Sequence, residues 1–259
     1  MKITILGCGS STGVPVIGCT CGVCTSDNPR NTRTRASILW TLDNNKRILI
    51  DTSPDLRQQA LRHHITTVDS IIMTHSHADH CHGMDEVRSF NYHRDDYIDF
   101  YADPITMHDI ITRFAYIFKE HHRSHGWYKP CLIPHKVTPG RHIICDETAI
   151  LFNQQHGRGT TLGIRIGNAA YTTDANMLDD TAFEALSNID LWIVDCLRLN
   201  KAPTHAHLDM TLEWIERVQP KRAILTHMAH DIDYDTVSAM LPPHISLAYD
   251  GMIIDTAHI

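Results

Sequence analysis

The residues best suited to chemistry are four metal-ligand side chains within six positions. His75, His77, Asp79 and His80 follow directly after the apolar run 71–73. Neutral imidazole and carboxylate groups are the donors that suit borderline divalent ions such as Zn²⁺, Mn²⁺ or Fe²⁺. A turn after a buried strand can aim the first two histidines at one ion, while Asp79 and His80, at the start of the next helix, face another. The segment therefore predicts a centre for two divalent ions rather than a solvated histidine-rich loop.

A second group of ligand-type residues lies nearer the N-terminus. Cys19, Cys21 and Cys24 fall within six residues of a chain that has eight cysteines in 259 positions. Eight cysteines in a chain of this length do not form the disulfide framework of a small secreted protein, and in a reducing compartment such crowding indicates metal more often. Residues 19–24 are therefore predicted to bind a metal, with redox cysteines or a disulfide as the alternative.

The composition limits the classes of protein to which these groups can belong. The chain is 42% apolar and 20% charged, contains 20 histidines and carries a formal charge of −7. It has no apolar run of about 18 residues, so no membrane span is expected. The acidic balance disfavours a broad nucleic-acid-binding face. The first apolar run breaks at Gly7, too early for a signal peptide, which predicts a first strand and a cytoplasmic protein.

Short strands that alternate with helices would position these groups. Runs rich in Ile, Leu and Val predict strands at 3–6, 37–42, 47–50, 70–73, 98–101, 149–152, 161–166, 191–194, 223–225 and 252–254. Helices are predicted at 55–63, 104–118, 179–186 and 210–218. Asp55 and Asp179 are expected to cap the first turns of two of these helices.

The chain has no linker that would divide it into domains. Hairpin-like strand pairs end at an acidic motif in each half, at Asp51 and at Asp174. This repetition predicts a single α/β domain over residues 1–259 with two similar halves. Residues 119–135 fit neither a strand nor a helix pattern, so they are predicted to be a loop or an inserted lid.

The segment His-x-His-x-Asp-His resembles the signature of the metallo-β-lactamase superfamily. The resemblance implies a four-layer αββα sandwich with the metal site at one edge of the sheets. It also implies further site residues, each of which is ambiguous when taken alone. His156 would be the third histidine of the first metal, Asp174 the carboxylate that bridges both metals, and His227 the last histidine of the second. Asp51 would orient the ligand loop without binding metal.

Within the superfamily, the chain resembles the phosphoribosyl 1,2-cyclic phosphate phosphodiesterases of the carbon–phosphorus lyase pathway. The resemblance rests on residues 7–15, on the three cysteines, on Arg33-x-Arg35-x-Ser37 and on Thr226-His227-x-x-His230. It implies that Cys19, Cys21, Cys24 and His230 form a closed structural zinc site. A Cys₃His set is chemically suited to that role. The resemblance also makes a homodimer an expectation.

The same resemblance implies a reaction. Two divalent ions, Mn, Zn or Fe, would lower the pKa of a bridging water, and the resulting hydroxide would open the cyclic phosphate to give ribose 1,5-bisphosphate. Asp79 would be a catalytic residue as a ligand of the metal pair. His207 would protonate the leaving oxygen, with His205 as the competing candidate for that role. The alternatives are a phosphodiesterase for 2′,3′-cyclic nucleotides or RNA 3′ ends, and a non-hydrolytic cofactor carrier on the same fold.

Four arginines are candidates to bind a substrate phosphate, although charged surface residues are the default interpretation. They are Arg33, Arg35, Arg158 and Arg165.

Overall fold

The computed structural model describes residues 1–92, 96–118 and 130–259. Fourteen strands in these ranges form two seven-stranded sheets. In chain order the strands are β1 (Lys2–Gly7), β2 (Ser37–Thr41), β3 (Arg47–Ile50), β4 (Ser70–Ile72), β5 (Ile98–Ala102), β6 (Leu132–Lys136), β7 (Gly140–Ile144), β8 (Glu147–His156), β9 (Gly159–Ile166), β10 (Ala169–Thr172), β11 (Leu191–Asp195), β12 (Arg222–Thr226), β13 (Ile245–Leu247) and β14 (Ile253–Asp255).

Seven α-helices accompany the strands in the described ranges. They are α1 (Leu56–Arg62), α2 (Ala78–Cys81), α3 (Val87–Phe90), α4 (Pro104–Phe114), α5 (Asp180–Ala185), α6 (Leu208–Val218) and α7 (Tyr234–Ser238). The longest, α4 and α6, have 11 residues each, so none of the described helices reaches across a bilayer.

The two halves of the chain build one sheet each. The first sheet has the order β14-β1-β2-β3-β4-β5-β6 and the second the order β13-β12-β11-β10-β9-β8-β7. Neighbouring strands are parallel from β3 to β6 and again from β10 to β13. Only β14 crosses from the second half to pair with β1 in the first sheet. The predicted αββα sandwich of two similar halves is confirmed.

Side chains that alternate along the strands separate two apolar layers. In β2, Ile38 and Trp40 pack in the core between the sheets, where they meet residues such as Tyr171 and Trp192. Leu39 points to the opposite face and packs with the helices that cover the first sheet. This period of two residues is what a strand buried on both faces requires.

Some sequence-based boundaries were wrong. Leu132–Lys136 is the edge strand β6 rather than loop, and it accommodates Pro134 because an edge strand has one side without ladder partners. The remaining residues of the predicted lid, 119–129, lie outside the described residues. Asp179 caps α5 by accepting from the Ala182 amide, but Asp55 does not cap α1 and instead accepts from the Arg35 amide.

Candidate metal centre

The candidate ligands lie where strands of both sheets end. Asp51 follows β3, His156 ends β8, Asp174 follows β10 and His227 follows β12. His75, in the turn after β4, belongs to the same group. The carboxyl ends of parallel strands meet at one edge of a sheet, and ligands bind at such edges in α/β folds. The two sheets therefore bring residues more than 170 positions apart into one cluster.

Asp174 occupies the middle of this cluster and presents its two oxygens to different histidines. Oδ2 lies 3.7 Å from His75 Nε2 and 3.8 Å from His156 Nε2. Oδ1 lies 3.1 Å from His80 Nε2 and 3.3 Å from His227 Nε2. Each oxygen therefore faces its own pair of imidazoles, which is the arrangement of a carboxylate shared by two sites.

Two further residues complete the two groups. His77 Nδ1 lies 3.3 Å from His156 Nε2, on the side of the first group. Asp79 Oδ2 lies 3.3 Å from His80 Nε2 and 3.6 Å from His227 Nε2, on the side of the second. The structure thus assembles two four-residue groups of ligand atoms, each within 4.8 Å: His75, His77, His156 and Asp174, and Asp79, His80, Asp174 and His227. A third group, which meets the same distance and shares His227, consists of Asp195, His205 and His227.

The geometry of these donors fits divalent ions. The Nε2 atoms of His75, His80 and His227 are buried and have no hydrogen-bond partner within the described residues. Ligands that bind zinc tetrahedrally at 2.0–2.1 Å lie about 3.3 Å from each other, close to the spacings in both groups. A buried nitrogen without a partner is costly, so a bound cation would satisfy three orphaned atoms at once.

The charges of the cluster point the same way. Burial raises the pKa of Asp174 by itself, but the neighbouring His227 and His80 outweigh burial and hold that pKa well below its usual range. Burial opposes protonation of His80 as well, yet the carboxylates of Asp174 and Asp51 keep its pKa well above normal. The ionised carboxylates are thus stabilised by positive charge nearby, and divalent ions can provide this charge in place of protons on the histidines.

Behind the ligands, Asp51 fixes the loop that carries them. Its Oδ2 accepts from His80 Nδ1 at 2.7 Å, and its Oδ1 accepts from the Thr74 amide at 2.8 Å. This bond leaves His80 Nε2 facing the cluster. Asp51, Asp174 and His227 also have φ of 62°, 51° and 60°, in the left-handed region that non-glycine residues rarely adopt. Such strain is typical of functional sites.

The two histidines that the sequence offers as proton donors, His207 and His205, lie differently with respect to the cluster. His205 Nε2 lies 3.8 Å from Asp174 Oδ2, and its ring stacks on His227 at a centroid distance of 5.0 Å. His207 is the N-cap residue of α6, and no ion pair or ring contact joins it to the cluster within the described residues. The helix begins directly after His207, so this residue closes the turn while His205, two positions earlier, faces the site.

Sequence reasoning missed Asp195, the last residue of β11. This carboxylate is fully buried, and its Oδ2 lies 3.3 Å from His205 Nδ1 while Oδ1 lies 3.6 Å from His227 Nδ1. Asp195 therefore lies behind both histidines, as Asp51 lies behind His80. The signal was present in the sequence, since an acidic residue ends an apolar strand here just as Asp51 and Asp174 do.

The cysteines form a separate four-residue group with His230. Cys19 Sγ and Cys21 Sγ lie 3.4 and 3.3 Å from His230 Nδ1, and Cys24 completes the group. All three thiols are free. Hydrogen bonds from the Cys24 amide and from His230 lower the pKa of Cys21 to about 6, so this donor is a thiolate near neutral pH. The set is suited to zinc.

Gly9 and Arg33 contact the backbone beside both clusters, next to His227 and around His230. Gly9 forms bridges to both Arg35 and Met228, the residue after His227. A Cβ on Gly9 would lie 2.8 Å from the Arg33 carbonyl, so only glycine fits this approach. The buried Arg33 guanidinium in turn donates to the carbonyls of Ala229 at 3.0 Å and Ile232 at 2.6 Å, on either side of His230.

Comparison with known proteins identifies the family. A family model described as a beta-lactamase superfamily domain matches residues 46–228. The chain belongs to the metallo-β-lactamase superfamily. This membership and the two His/Asp ligand groups support a metal-dependent hydrolase.

One solved structure is similar over nearly the whole chain. The crystal structure of a diphosphatase from the PhnP family is 35% identical, covers 98% of this chain and 97% of that chain, and has a TM-score of 0.91. The chain is therefore a PhnP-like member of the metallo-β-lactamase superfamily. Zinc-bound PqqB from Methylobacterium extorquens covers 98% of this chain and 100% of that chain with a TM-score of 0.78, but at 17% identity it shows the fold alone.

A curated relative carries a different name. The octanoyltransferase of Porphyromonas gingivalis is 35% identical over 261 residues, which cover 98% of this chain but 52% of the relative. The chain therefore spans about half the length of that protein.

Proposed function

We propose that the protein is a dinuclear metal-dependent phosphodiesterase that hydrolyses a small cyclic phosphodiester. The proposed substrate is phosphoribosyl 1,2-cyclic phosphate, and the product is ribose 1,5-bisphosphate. The observation that carries the proposal is Asp174, whose two oxygens face separate groups of buried imidazoles. Beside them lies a cavity of about 610 Å³, lined by His75, His77 and His156 among others. The PhnP-family relative adds support for chemistry at phosphorus.

The proposed ligands are those that the geometry groups together. The first ion would be held by His75, His77, His156 and Asp174, and the second by Asp79, His80, Asp174 and His227. When bound, Zn²⁺, Mn²⁺ or Fe²⁺ supplies positive charge for the phosphoryl oxygens and lowers the pKa of a water to near neutral. The residues suit these ions almost equally.

The leaving oxygen needs a proton, and we assign its transfer to His205 rather than His207. Asp195 lies on the Nδ1 side of the His205 ring, so Nε2 is the nitrogen that faces the cluster. A histidine held in this way can donate a proton from Nε2 to the departing ribose oxygen. Asp195 is a positioning residue because it acts through His205 and His227.

The proposal includes further assignments, and the geometry and the residue types support those of the site residues. Cys19, Cys21, Cys24 and His230 would hold one structural zinc ion, and Asp51 would orient the ligand loop. A small-molecule partner, a cytoplasmic location and phosphonate metabolism belong to the same proposal. A homodimer stays a prediction.

Other substrates define the alternatives. The PhnP-family relative is called a diphosphatase, which makes a diphosphate the second candidate. A 2′,3′-cyclic nucleotide or an RNA 3′ end would use the same metal chemistry, whereas a cofactor carrier would bind without hydrolysis. The name of the Porphyromonas relative adds an octanoyl thioester to the compounds worth testing.

A substrate panel tests the proposal. Protein with its metal content measured would be assayed with bis-p-nitrophenyl phosphate, cyclic nucleotides, a dinucleoside diphosphate, a β-lactam and an octanoyl thioester. We expect cleavage of phosphodiesters, with little activity on the β-lactam and the thioester. Full metal occupancy without phosphodiester cleavage would contradict the proposal, and faster cleavage of the diphosphate would favour the second candidate.

A further inference from the structure

Three of the four candidate phosphate-binding arginines are engaged within the protein. Arg33 is buried and bonds backbone carbonyls, including that of Ala229. Arg35 forms an ion pair with Asp55 at 3.1 Å. Arg165 donates to three backbone carbonyls. None of these three arginines lines the cavity beside the His/Asp cluster within the described residues.

Arg158 differs from the other three. It lies at the tip of the hairpin between β8 and β9, two residues after the candidate ligand His156. Its side chain is exposed, and it forms no ion pair or hydrogen bond within the described residues. It lines the cavity of about 610 Å³ together with His75 and His77. No other lysine or arginine lines this cavity among the described residues.

The backbone that carries Arg158 is held firmly. Gln155 Nε2 donates to the carbonyls of Gly157 at 2.8 Å and Gly159 at 3.0 Å, and the Gly157 amide donates to Asn176 Oδ1 at 3.0 Å. Gly157 has φ of 59°, and a Cβ there would lie 2.9 Å from Thr204 Cγ2. A side chain at position 157 would therefore strain the hairpin tip, so Gly157 helps to hold the backbone of Arg158 in place relative to His156.

Other charges in the cavity leave Arg158 free. Asp103 is the only carboxylate that lines the cavity within the described residues, and its Oδ1 already accepts from the amides of Ile105 and Thr106 at the start of α4. A guanidinium presents a planar set of donors that matches phosphate oxygens. An unpaired arginine beside a metal cluster is thus suited to a second anionic group of the ligand.

We propose that Arg158 binds a phosphomonoester of the substrate, separate from the phosphodiester that reacts at the metal cluster. This inference rests on the proposed function and deepens it. Arg158 is then a specificity-determining residue, because substrates without the second phosphate cannot use it.

A matched pair of substrates tests this assignment. The pair is 5-phosphoribosyl 1,2-cyclic phosphate and its 5-hydroxyl analogue, with bis-p-nitrophenyl phosphate as a third compound. Arg158→Ala is expected to lower kcat/KM about 10- to 100-fold for the 5-phosphate, the usual effect of losing a charge-assisted hydrogen bond. The loss for the two other substrates is expected to be at most a few-fold. Arg158→Lys should restore part of the preference, since it keeps the charge without the planar fork.

Arg141→Ala provides the control, because Arg141 is also exposed but lines a different cavity. It should leave all three rates as in the wild type. Equal losses on all substrates in Arg158→Ala would mean general electrostatic attraction and would overturn the inference, as would a wild-type protein that cleaves both members of the pair equally. A wild-type protein that holds its metals but cleaves none of the three compounds would overturn the proposed function itself.

Discussion

The two candidate metal clusters draw on different parts of the chain. The histidine and aspartate cluster collects its ligands from the ends of strands in both sheets, from His75 to His227. The cysteine cluster takes three of its four residues from the loop 19–24 and only His230 from elsewhere. The first cluster borders a cavity of about 610 Å³, whereas none of the described residues that line this cavity is a cysteine.

The two donor sets differ in whether a bound metal would keep a coordination position open for water or substrate. Asp174 is shared by two ligand groups, and imidazole and carboxylate donors leave room for water and substrate at divalent ions. Three sulfurs and one nitrogen complete a tetrahedral set without an open position. In the proposed function, the His/Asp cluster carries out catalysis and the Cys/His cluster holds a structural zinc ion.

The largest expected effect comes from the shared carboxylate. Asp174→Ala should lower kcat/KM for bis-p-nitrophenyl phosphate by about 10³-fold or more, because removing it withdraws a ligand from both groups and several kcal/mol of charge stabilisation. Elemental analysis should show loss of the catalytic ions while the zinc at the cysteines remains. An Asp174→Ala variant that keeps all its ions and most of its activity would contradict the proposed role of Asp174 as a ligand of both catalytic ions.

The two neighbouring histidines give the next largest contrast. His205→Ala should lower kcat by about 10²-fold or more, as expected when a general acid is removed, with the metal content retained. His207→Ala should change kcat by no more than a few-fold, since His207 closes the first turn of α6. Both variants are measured at saturating substrate. A larger loss of kcat in His207→Ala than in His205→Ala would show that His207 is the proton donor.

Asp195 should have an intermediate effect. Asp195→Asn keeps the shape of the side chain but removes the charge behind His205 and His227, and losses of about 10- to 100-fold are usual for such partners of ligands. The separate effects on kcat and KM distinguish positioning from a merely structural role, because only a displaced His205 lowers kcat at saturating substrate in protein that stays folded. A change confined to thermal stability would contradict the role given to Asp195.

The smallest effect on activity is expected from the cysteine cluster. Cys21→Ser should remove one zinc ion per chain and lower the melting temperature by about 5–15 °C, if the site resembles a crosslink worth about 2–4 kcal/mol. Catalytic rates below melting should fall only a few-fold, because the cluster reaches His227 through the neighbouring backbone alone. Loss of activity equal to that of Asp174→Ala would show that the clusters are not separate in function.

Much of the architecture could be predicted because its signals are local. The segment from His75 to His80 contains four ligands within one turn and one short helix, so no distant contact is needed to recognise it. The buried parallel strands likewise read as apolar runs. Strand β7 was missed because three of its five residues are exposed, which weakens the apolar pattern.

Other features depend on contacts that the sequence does not encode locally. His205 and His207 share the approach to α6, and only the start of that helix decides which ring faces Asp174. Asp55 precedes α1 as a cap would, but its carboxylate is engaged by Arg35 across the fold.

The most direct test follows the reaction at phosphorus by ³¹P nuclear magnetic resonance. Protein whose metal content has been counted is mixed with 5-phosphoribosyl 1,2-cyclic phosphate. The proposed two-metal phosphodiesterase predicts that the cyclic phosphodiester signal disappears and a second phosphomonoester signal takes its place, and that Asp174→Ala abolishes this change. A cyclic phosphate signal that persists with fully metal-loaded wild-type protein would contradict it.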